Sequence, residues 1–180
     1  MKIDMSDLPI DGAYSLSAFS AKDPRGALSK YYEVDLGKKL GFRPAEVLTS
    51  ENRKNAIRGL HYQHPEAQHK LVWCTAGRVF EVLLDMRKAS PSYGKWHGLM
   101  LSAKLANGVF VPEGVAHGFA SLEEASAILY VLGGSQVQKS ETGVRFDDPD
   151  LAIDWHVDKK DQIVSEKDRV LPLFKNASKF

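Results

Sequence analysis

Between Ala56 and Leu132 the chain consists of short apolar runs, rich in β-branched and aromatic residues, that are separated by turn residues. This arrangement is typical of strands, because helices need longer segments with apolar residues spaced three and four apart. Many short strands with few helical segments indicate an all-β chain and favour a jelly roll. Short helices are predicted only near Leu36–Leu40 and after Asp161. The predicted strands are Lys70–Thr75, Arg78–Met86, Trp96–Ser102, Gly108–Val111, His117–Leu122 and Ala127–Leu132.

Length and charge narrow the class of protein. A chain of 180 residues suits one domain, residues 1–180, better than two domains with small cores. Apolar residues make up 43% and charged residues 26% of the chain, as in ordinary globular proteins. The 24 Lys and Arg residues nearly balance 23 Asp and Glu residues, so bulk charge favours neither nucleic acid nor an anionic membrane as a partner. No repeat or linker divides the sequence.

The single cysteine, Cys74, excludes an intramolecular disulfide and fits a reducing cytoplasm. Its apolar neighbours Val72 and Trp73 predict a buried thiol. The first five residues lack the apolar core of a signal peptide, and no stretch reaches the roughly 18 apolar residues that span a bilayer. We therefore expect a cytoplasmic protein.

The alternation within Arg78–Met86 bears on where a cavity could lie. As a strand, this segment places Val79, Glu81, Leu83 and Asp85 on one face and only apolar residues on the other. One face would then pack in a core. The face with the carboxylates is compatible either with a polar cavity or with a surface exposed to solvent.

The densest group of chemically active residues is Arg58–Gln63, followed by Gln68–Val72. In a regular strand Arg58 and His61 point to opposite faces. Glycine within a strand often marks a β-bulge, in which one extra residue re-aims the neighbouring side chains. A bulge at Gly59 would therefore allow Arg58 and His61 to serve one site.

Five of the six histidines lie between His61 and His117, so a metal centre has to be considered. Metal-binding jelly rolls usually place two ligand histidines two residues apart on one strand, so that both point inward. Here the spacings from His61 to His64 and from His64 to His69 are three and five residues, which argues against a metal. The remaining histidines are interpreted as structural or exposed: His64, His69, His97 and His156.

A second group, Gly108–Phe119, ends a strand, turns at Pro112 and Gly114, and returns a histidine on the next strand. It resembles the second cupin motif. Taken with the first group, the sequence resembles the dTDP-4-dehydrorhamnose 3,5-epimerase family. The ordered motifs that carry the resemblance are Arg58–Gln63, Gln68–Val72, Gly77–Phe80, Ser90–Trp96, Leu101–Ser102, Val111–Phe119, Leu129–Tyr130, Asp147–Pro149 and Ser165–Asp168.

The resemblance implies a cupin jelly-roll β-barrel with a few short peripheral helices, usually a homodimer, that uses neither a metal nor a cofactor. It also implies an isomerase that inverts C3, C5 or both in a nucleoside-diphosphate 4-keto-6-deoxyhexose, as in deoxysugar and polysaccharide biosynthesis. A proton beside a ketone is weakly acidic, so this reaction needs a base, a group that stabilises the enolate and an acid on the opposite face.

The resemblance assigns these roles to individual residues. It makes His61 the base, Asp168 the carboxylate that orients the imidazole, and Tyr130 the acid. Lys70 is matched with the cation beside the enolate oxygen. The residues matched with substrate binding are Arg25 at the diphosphate, and Arg58 and His117 in the pocket. From the residues alone, helix capping by Asp168, a core role for Tyr130 and a solubilising role for Lys70 stay open.

Several departures from the family pattern predict an altered substrate scope. The family's Phe-x-Glu after Arg-Gly is replaced by Ala27–Lys30, and its Gln-x-Asn by Thr49–Asn52. A loop predicted to face the sugar, Val131–Gln136, lacks the family's tyrosine pair. The alternatives are a nucleotide-sugar 3,4-ketoisomerase, which uses the same enolate chemistry, a catalytically silent cupin that binds a sugar nucleotide, and a metal-dependent cupin oxygenase or isomerase.

Overall fold

The computed structural model describes residues 2–134 and 137–180, and strands dominate it. The strands are β1 (Asp4–Asp7), β2 (Tyr14–Ser17), β3 (Phe19–Asp23), β4 (Gly26–Lys30), β5 (Glu46–Asn52), β6 (Ala56–Gln63), β7 (Lys70–Ala76), β8 (Arg78–Asp85), β9 (Trp96–Ser102), β10 (Asn107–Val111), β11 (Val115–Ser121), β12 (Ser126–Leu132), β13 (Glu141–Gly143) and β14 (Ile163–Val164). The mostly β class predicted from the sequence is confirmed, and each of the six predicted strands is present within two residues of its expected bounds.

Two six-stranded sheets organise these strands. The first sheet has the order β1-β2-β10-β7-β12-β5, and the second has the order β13-β6-β11-β8-β9 with β14 parallel to β6. All other pairs are antiparallel. Strands β3 and β4 form a separate hairpin. The first sheet therefore brings β5, β7 and β12 side by side, and the second does the same for β6 and β11.

Three apolar layers hold the sheets. The middle layer joins them, because Val72 and Ile128 of the first sheet pack with Val79 and Phe119 of the second. The segment after β13 covers the outer face of the second sheet, with Phe146 and Trp155 among its buried residues. The amino-terminal segment and the first helix cover the outer face of the first sheet, with Ile3, Leu36 and Phe42. Both faces are thus packed over the central strands of each sheet, whereas the edge strand β5 is mostly exposed.

Strand β8 shows how sequence alternation creates these layers. Val79 and Leu83 lie in the middle layer, whereas Phe80, Val82 and Leu84 lie in the outer layer. Glu81 and Asp85 share a face with Val79, and both carboxylates are completely buried. The solvent-exposed alternative for this face is therefore wrong. A buried carboxylate needs partners, and those of Glu81 lead to the candidate site.

Helices are short and peripheral, as predicted. Helix α1 spans Val34–Leu40, and helix α2 spans Glu166–Arg169. Gly41, in the left-handed conformation, ends α1 and donates its amide to the last turn. No helix within the described part of the chain is long and apolar enough to cross a membrane. The predicted burial of the Cys74 thiol is confirmed.

Candidate active site

A β-bulge at Gly59, which the sequence analysis raised as the condition for Arg58 and His61 to serve one site, shapes the centre of the site. His61 pairs with His117 and Arg58 pairs with Phe119, so three steps on β6 face two steps on β11. Gly59 has φ +126°, and a Cβ there would lie 2.6 Å from Gly118 Cα. Only glycine tolerates both this backbone conformation and this close approach. The bulge brings Arg58 and His61 to one cavity.

The carboxyl-terminal helix supplies the partner of His61. Ser165 caps α2 by accepting a hydrogen bond from the amide of Asp168, which fixes Asp168 in the first turn. The Asp168 carboxylate lies 2.7 Å from His61 Nε2 and also accepts a hydrogen bond from the Gly59 amide at 3.4 Å. Capping is therefore done by Ser165, while the carboxylate faces the imidazole.

Burial and hydrogen bonds act in opposite directions on Asp168. Burial tends to raise the pKa of this carboxyl, but the hydrogen bond and charge of His61, with the Gly59 amide and Ser165, hold the pKa below its usual range. The carboxylate is thus ionised at neutral pH. An ionised carboxylate at Nε2 keeps the proton on that nitrogen and leaves Nδ1 as the nitrogen able to accept another.

The cavity lies between the two sheets and has a volume of about 270 Å³. Arg58, His61 and His117 reach it from the second sheet, whereas Lys70 and Tyr130 reach it from the first. Five of the seven predicted site residues therefore line one cavity, with Asp168 directly behind His61. Further polar lining comes from Ser50, Gln63, Gln68 and Glu141, and apolar lining from Leu48, Phe119 and Leu132.

A chain of hydrogen-bonding groups runs from the buried Glu81 to Lys70. His117 Nδ1 lies 2.8 Å from Glu81 Oε1, and His117 Nε2 lies 3.2 Å from Lys70 Nζ. A neutral imidazole that donates from Nδ1 to Glu81 accepts at Nε2 from the Lys70 ammonium. The second carboxylate oxygen, Glu81 Oε2, is buried without a hydrogen-bond partner among the described residues.

The pKa values along this chain are shifted by burial. Burial, followed by the charges of Lys70 and His61, lowers the pKa of His117 well below its usual range. Burial raises the pKa of Glu81, and the charge of Lys70 opposes that shift. Burial lowers the pKa of Lys70 to about 8, although Glu81 and Glu141 oppose it. His117 is therefore neutral, and Lys70 carries a charge that it loses just above neutrality.

Tyr130 enters the cavity from the opposite sheet to His61. Its ring lies 6.2 Å from that of His117 in an edge-on arrangement, and its hydroxyl lies 3.4 Å from Ser50 Oγ. Burial raises the pKa of the phenol, against the hydrogen bond from Ser50 and the charge of Arg58. The phenol therefore holds its proton throughout the neutral range.

Arg25 is the predicted site residue that the structure places elsewhere. It lies in the turn of the β3–β4 hairpin, and its side chain is 90% exposed. Its guanidinium is paired with Asp23 through a contact of 2.6 Å. The lining of the cavity around His61 does not include Arg25. A hairpin that joins neither main sheet carries it away from that cavity within this chain.

The other histidines occupy separate environments. His69 lies 3.1 Å from Glu113 and stacks on Phe110, and His64 packs edge-on against Phe180. His156 is exposed, as predicted, and His97 is partly buried. Within residues 2–134 and 137–180, no three or more His, Cys, Asp or Glu side chains are grouped so as to hold a metal ion.

Sequence reasoning assigned no site role to Glu81, Ser50 or Asn52. The alternation in β8 gave a signal for Glu81, because it placed a carboxylate on a face with core residues. Ser50 and Asn52 lie on β5, whose other residues are mostly exposed, and the sequence pointed to them only as part of Thr49–Asn52, where the family's Gln-x-Asn is replaced. In the loop predicted to face the sugar, Leu132 lines the cavity. Ser135 and Gln136 of that loop lie outside the described residues.

Comparisons with known proteins agree with the motifs. A sequence model of the dTDP-4-dehydrorhamnose 3,5-epimerase family matches residues 7–176. The dTDP-4-dehydrorhamnose 3,5-epimerase of Shigella flexneri is 39% identical over 140 residues, which are 77% of this chain and 75% of that protein. The dTDP-4-dehydrorhamnose 3-epimerase of Streptomyces niveus is 35% identical over 154 residues, which are 82% and 73% of the two chains.

A solved structure extends the similarity to the fold. It is that of dTDP-6-deoxy-D-glucose-3,5-epimerase from Legionella pneumophila Philadelphia 1, in complex with dTDP-4-keto-L-rhamnose. The TM-score is 0.92 at 30% identity, over 98% of this chain and 95% of the other. The resemblance predicted from the motifs is thereby confirmed. With a family match over nearly its whole length, the chain belongs to the dTDP-4-dehydrorhamnose 3,5-epimerase family.

Proposed function

We propose that this protein is an isomerase that epimerises a nucleoside-diphosphate 4-keto-6-deoxyhexose at C3, C5 or both. One observation carries the proposal: His61, backed by Asp168, and Tyr130 reach one cavity from two different sheets. Inversion of a carbon needs a base on one side of the sugar and an acid on the other. A cavity between two sheets, with one of these groups on each, meets that requirement.

The first step is removal of the proton from the carbon beside the C4 ketone. His61 Nδ1 accepts this proton, and the C–H electron pair becomes part of an enolate. The imidazolium that forms is stabilised by the Asp168 carboxylate, 2.7 Å from Nε2. Tyr130 then returns a proton to the opposite face of the carbon, and the C4 carbonyl is restored.

Lys70 is the group best suited to stabilise the enolate. It is held at 3.2 Å from His117 Nε2, and His117 is in turn held by the buried Glu81. A cation fixed beside a developing oxyanion in a place of low dielectric stabilises it without reorganisation. Arg58 and His117 line the same cavity and are proposed as substrate-binding residues.

The relatives' names support a thymidine nucleotide. They leave open whether C3 alone or both C3 and C5 are inverted, since one relative is named a 3,5-epimerase and another a 3-epimerase. We propose the diphosphate as the ligand of Arg25, whose guanidinium fork suits phosphate oxygens. Because Arg25 stands outside the His61 cavity, this role needs the hairpin to meet the nucleotide at some point beyond that cavity.

We also propose a single domain of the cupin jelly-roll class, since the middle apolar layer is shared by both sheets. Homodimerisation and a cytoplasmic location are proposed with it. Light scattering coupled to size-exclusion chromatography tests the dimer. The expected mass is about 40 kDa, twice the 20.0 kDa of one chain. A mass of one chain at micromolar concentration contradicts it.

Incubation with keto-sugar nucleotides in deuterated water tests the activity. dTDP-4-keto-6-deoxyglucose and its UDP counterpart serve as substrates, and NMR follows deuterium at C3 and C5 and the configuration at each carbon. We expect exchange and inversion at C3, C5 or both, with the ketone still at C4. Movement of the carbonyl to C3 would instead identify a ketoisomerase, and absence of exchange with every nucleotide contradicts the proposal.

A further inference from the structure

A second chain of polar groups runs beside the cavity from Arg58 to Tyr130. Arg58 Nε donates to Asn52 Oδ1 at 2.7 Å. Asn52 Nδ2 donates to the Ser126 carbonyl at 3.0 Å and lies 3.2 Å from both the hydroxyl and the carbonyl oxygen of Ser50. Ser50 Oγ lies 3.4 Å from the Tyr130 hydroxyl. Asn52 is 3% exposed, so its amide is held by these protein groups and not by bulk water.

The chemistry of the donors fixes the direction of this chain. A guanidinium can only donate hydrogen bonds, so Asn52 must turn its oxygen to Arg58 and its NH₂ group to Ser50. One Asn52 amide proton goes to the Ser126 carbonyl, and the other is shared between the hydroxyl and the carbonyl oxygen of Ser50. Ser50 Oγ is thus an acceptor toward Asn52, and its own proton is available for Tyr130. A hydroxyl that accepts from Ser50 has its own proton free to point elsewhere. On Tyr130 the remaining direction is into the cavity.

Building on the proposed epimerisation, we propose that Ser50 and Asn52 are positioning residues that aim the Tyr130 proton at the substrate carbon. Neither residue takes or gives a proton to the sugar. They act through Tyr130, by making its hydroxyl an acceptor toward Ser50 and a donor toward the cavity. A long contact of 3.4 Å between oxygens is a weak hydrogen bond, which limits the size of the effect.

The same contact has a role after the proton has moved. When the enolate carbon takes the Tyr130 proton, the O–H bond breaks, a C–H bond forms from the enolate electron pair, and a phenolate remains. Ser50 donates to this phenolate, and the positive charge of Arg58 acts on the same phenol. Solvent then returns a proton to Tyr130 and removes one from His61, which restores both groups.

Ser50→Ala tests this inference through the fate of the enolate. In deuterated water, an enolate that Tyr130 fails to protonate returns through His61 and gains deuterium without inversion. With dTDP-4-keto-6-deoxyglucose, we expect the ratio of exchange with retention to inversion to rise about threefold to tenfold, the effect of losing one modest hydrogen bond. Ser50→Thr keeps the hydroxyl and should restore the wild-type ratio.

A second variant and a control complete the experiment. Asn52→Asp still accepts from Arg58 but cannot donate to Ser50, so it should raise the ratio in the same direction. Ser15→Ala removes the hydroxyl of a partly buried serine on β2, which donates to the Ser6 carbonyl outside the cavity, and should leave the ratio unchanged.

The outcomes separate this inference from the proposed function. If the wild type inverts while Ser50→Ala keeps the wild-type ratio, the positioning role is overturned and epimerisation stands. If Ser50→Thr fails to restore the ratio, the hydroxyl is not the cause and the role is also overturned. If the wild type neither exchanges nor inverts, the proposed function fails and takes this inference with it.

Discussion

His61 Nε2 lies 2.7 Å from Asp168 Oδ1, and the two side chains differ sharply in exposure: 37% for the imidazole and 5% for the carboxylate. The carboxylate therefore sits behind the ring, while the ring faces the cavity. Asp168 is held in place by α2 and by the Gly59 amide, so the orientation of the imidazole is fixed before a substrate arrives. A base of this kind depends on its carboxylate for tautomer and charge.

Asp168→Asn should lower the rate of deuterium exchange at the substrate carbon by roughly 10²- to 10⁴-fold. The neutral amide can keep the ring in place but cannot stabilise the imidazolium that forms when His61 takes a proton. Exchange followed by NMR measures the loss directly. Glu166→Gln, an exposed change in the same helix, serves as the control and should leave the rate unchanged. Exchange at the wild-type rate in Asp168→Asn contradicts the assigned role.

Tyr130→Phe should separate exchange from inversion. His61 still removes the proton, so exchange with retention should persist within about tenfold of wild type, whereas inversion should fall roughly 10²- to 10⁴-fold. NMR of the sugar protons in deuterated water reports both processes in one sample. Equal losses of exchange and inversion would mean that the phenol acts on the first step as well, against the proposed division of roles.

The prediction of strands from the sequence succeeded for β7 to β12, but it did not list β6, although most of that strand is buried. Strands β7 to β12 stand out as apolar runs, because each packs against two layers. The hairpin β3–β4 is largely exposed, so its residues carry no such pattern and it was not predicted. Exposed strands are defined by their neighbours, which periodicity cannot reveal.

The site shows the same division. The pairing of His61 with Asp168 joins residues 107 positions apart, and it came from family resemblance, since no local spacing encodes it. The bulge at Gly59 could be predicted because glycine in a strand has a physical meaning. Ser50 was noted only within Thr49–Asn52, as a departure from the family pattern, and its role could not be predicted because a serine on a mostly exposed strand resembles any surface residue.

The enzyme should lose activity at alkaline pH as Lys70 loses its charge. Burial lowers its pKa to about 8, and the titratable groups that act on it or contact it are Glu81, Glu141 and His117. The ammonium stabilises the enolate, so kcat/KM, which reports ionisations of the free enzyme, should fall as the pH rises through about 8. We call this fall in activity near pH 8 the alkaline limb of the pH profile. Because burial raises the pKa of the Tyr130 phenol, loss of the phenol proton does not cause this limb.

Two variants assign the limb to Lys70. Lys70→Met removes the charge and should lower kcat roughly 10²- to 10³-fold at neutral pH, the range for loss of one oxyanion-stabilising group. Lys70→Arg keeps a charge that does not titrate below pH 12, so the activity that remains should no longer fall near pH 8. Initial rates measured across the pH range for the wild type and both variants test this assignment. Persistence of the limb in Lys70→Arg would assign it to another group.

Gly59→Ala should destabilise the fold, since the bulge tolerates no side chain. Its φ of +126° is costly for alanine, and the new Cβ would lie 2.6 Å from Gly118 Cα and 2.9 Å from the His117 carbonyl oxygen. Backbone strain and overpacking together should cost roughly 2–4 kcal/mol in free energy of unfolding, measured in urea. Gly26→Ala is the matched control, because Gly26 has φ +134° with no heavy atom within 4 Å of its Cβ position. The control experiences the backbone strain alone, so the difference in free energy of unfolding between the two variants measures the cost of the close approach of β6 and β11. Equal losses of stability in the two variants would show that β6 and β11 move apart without cost.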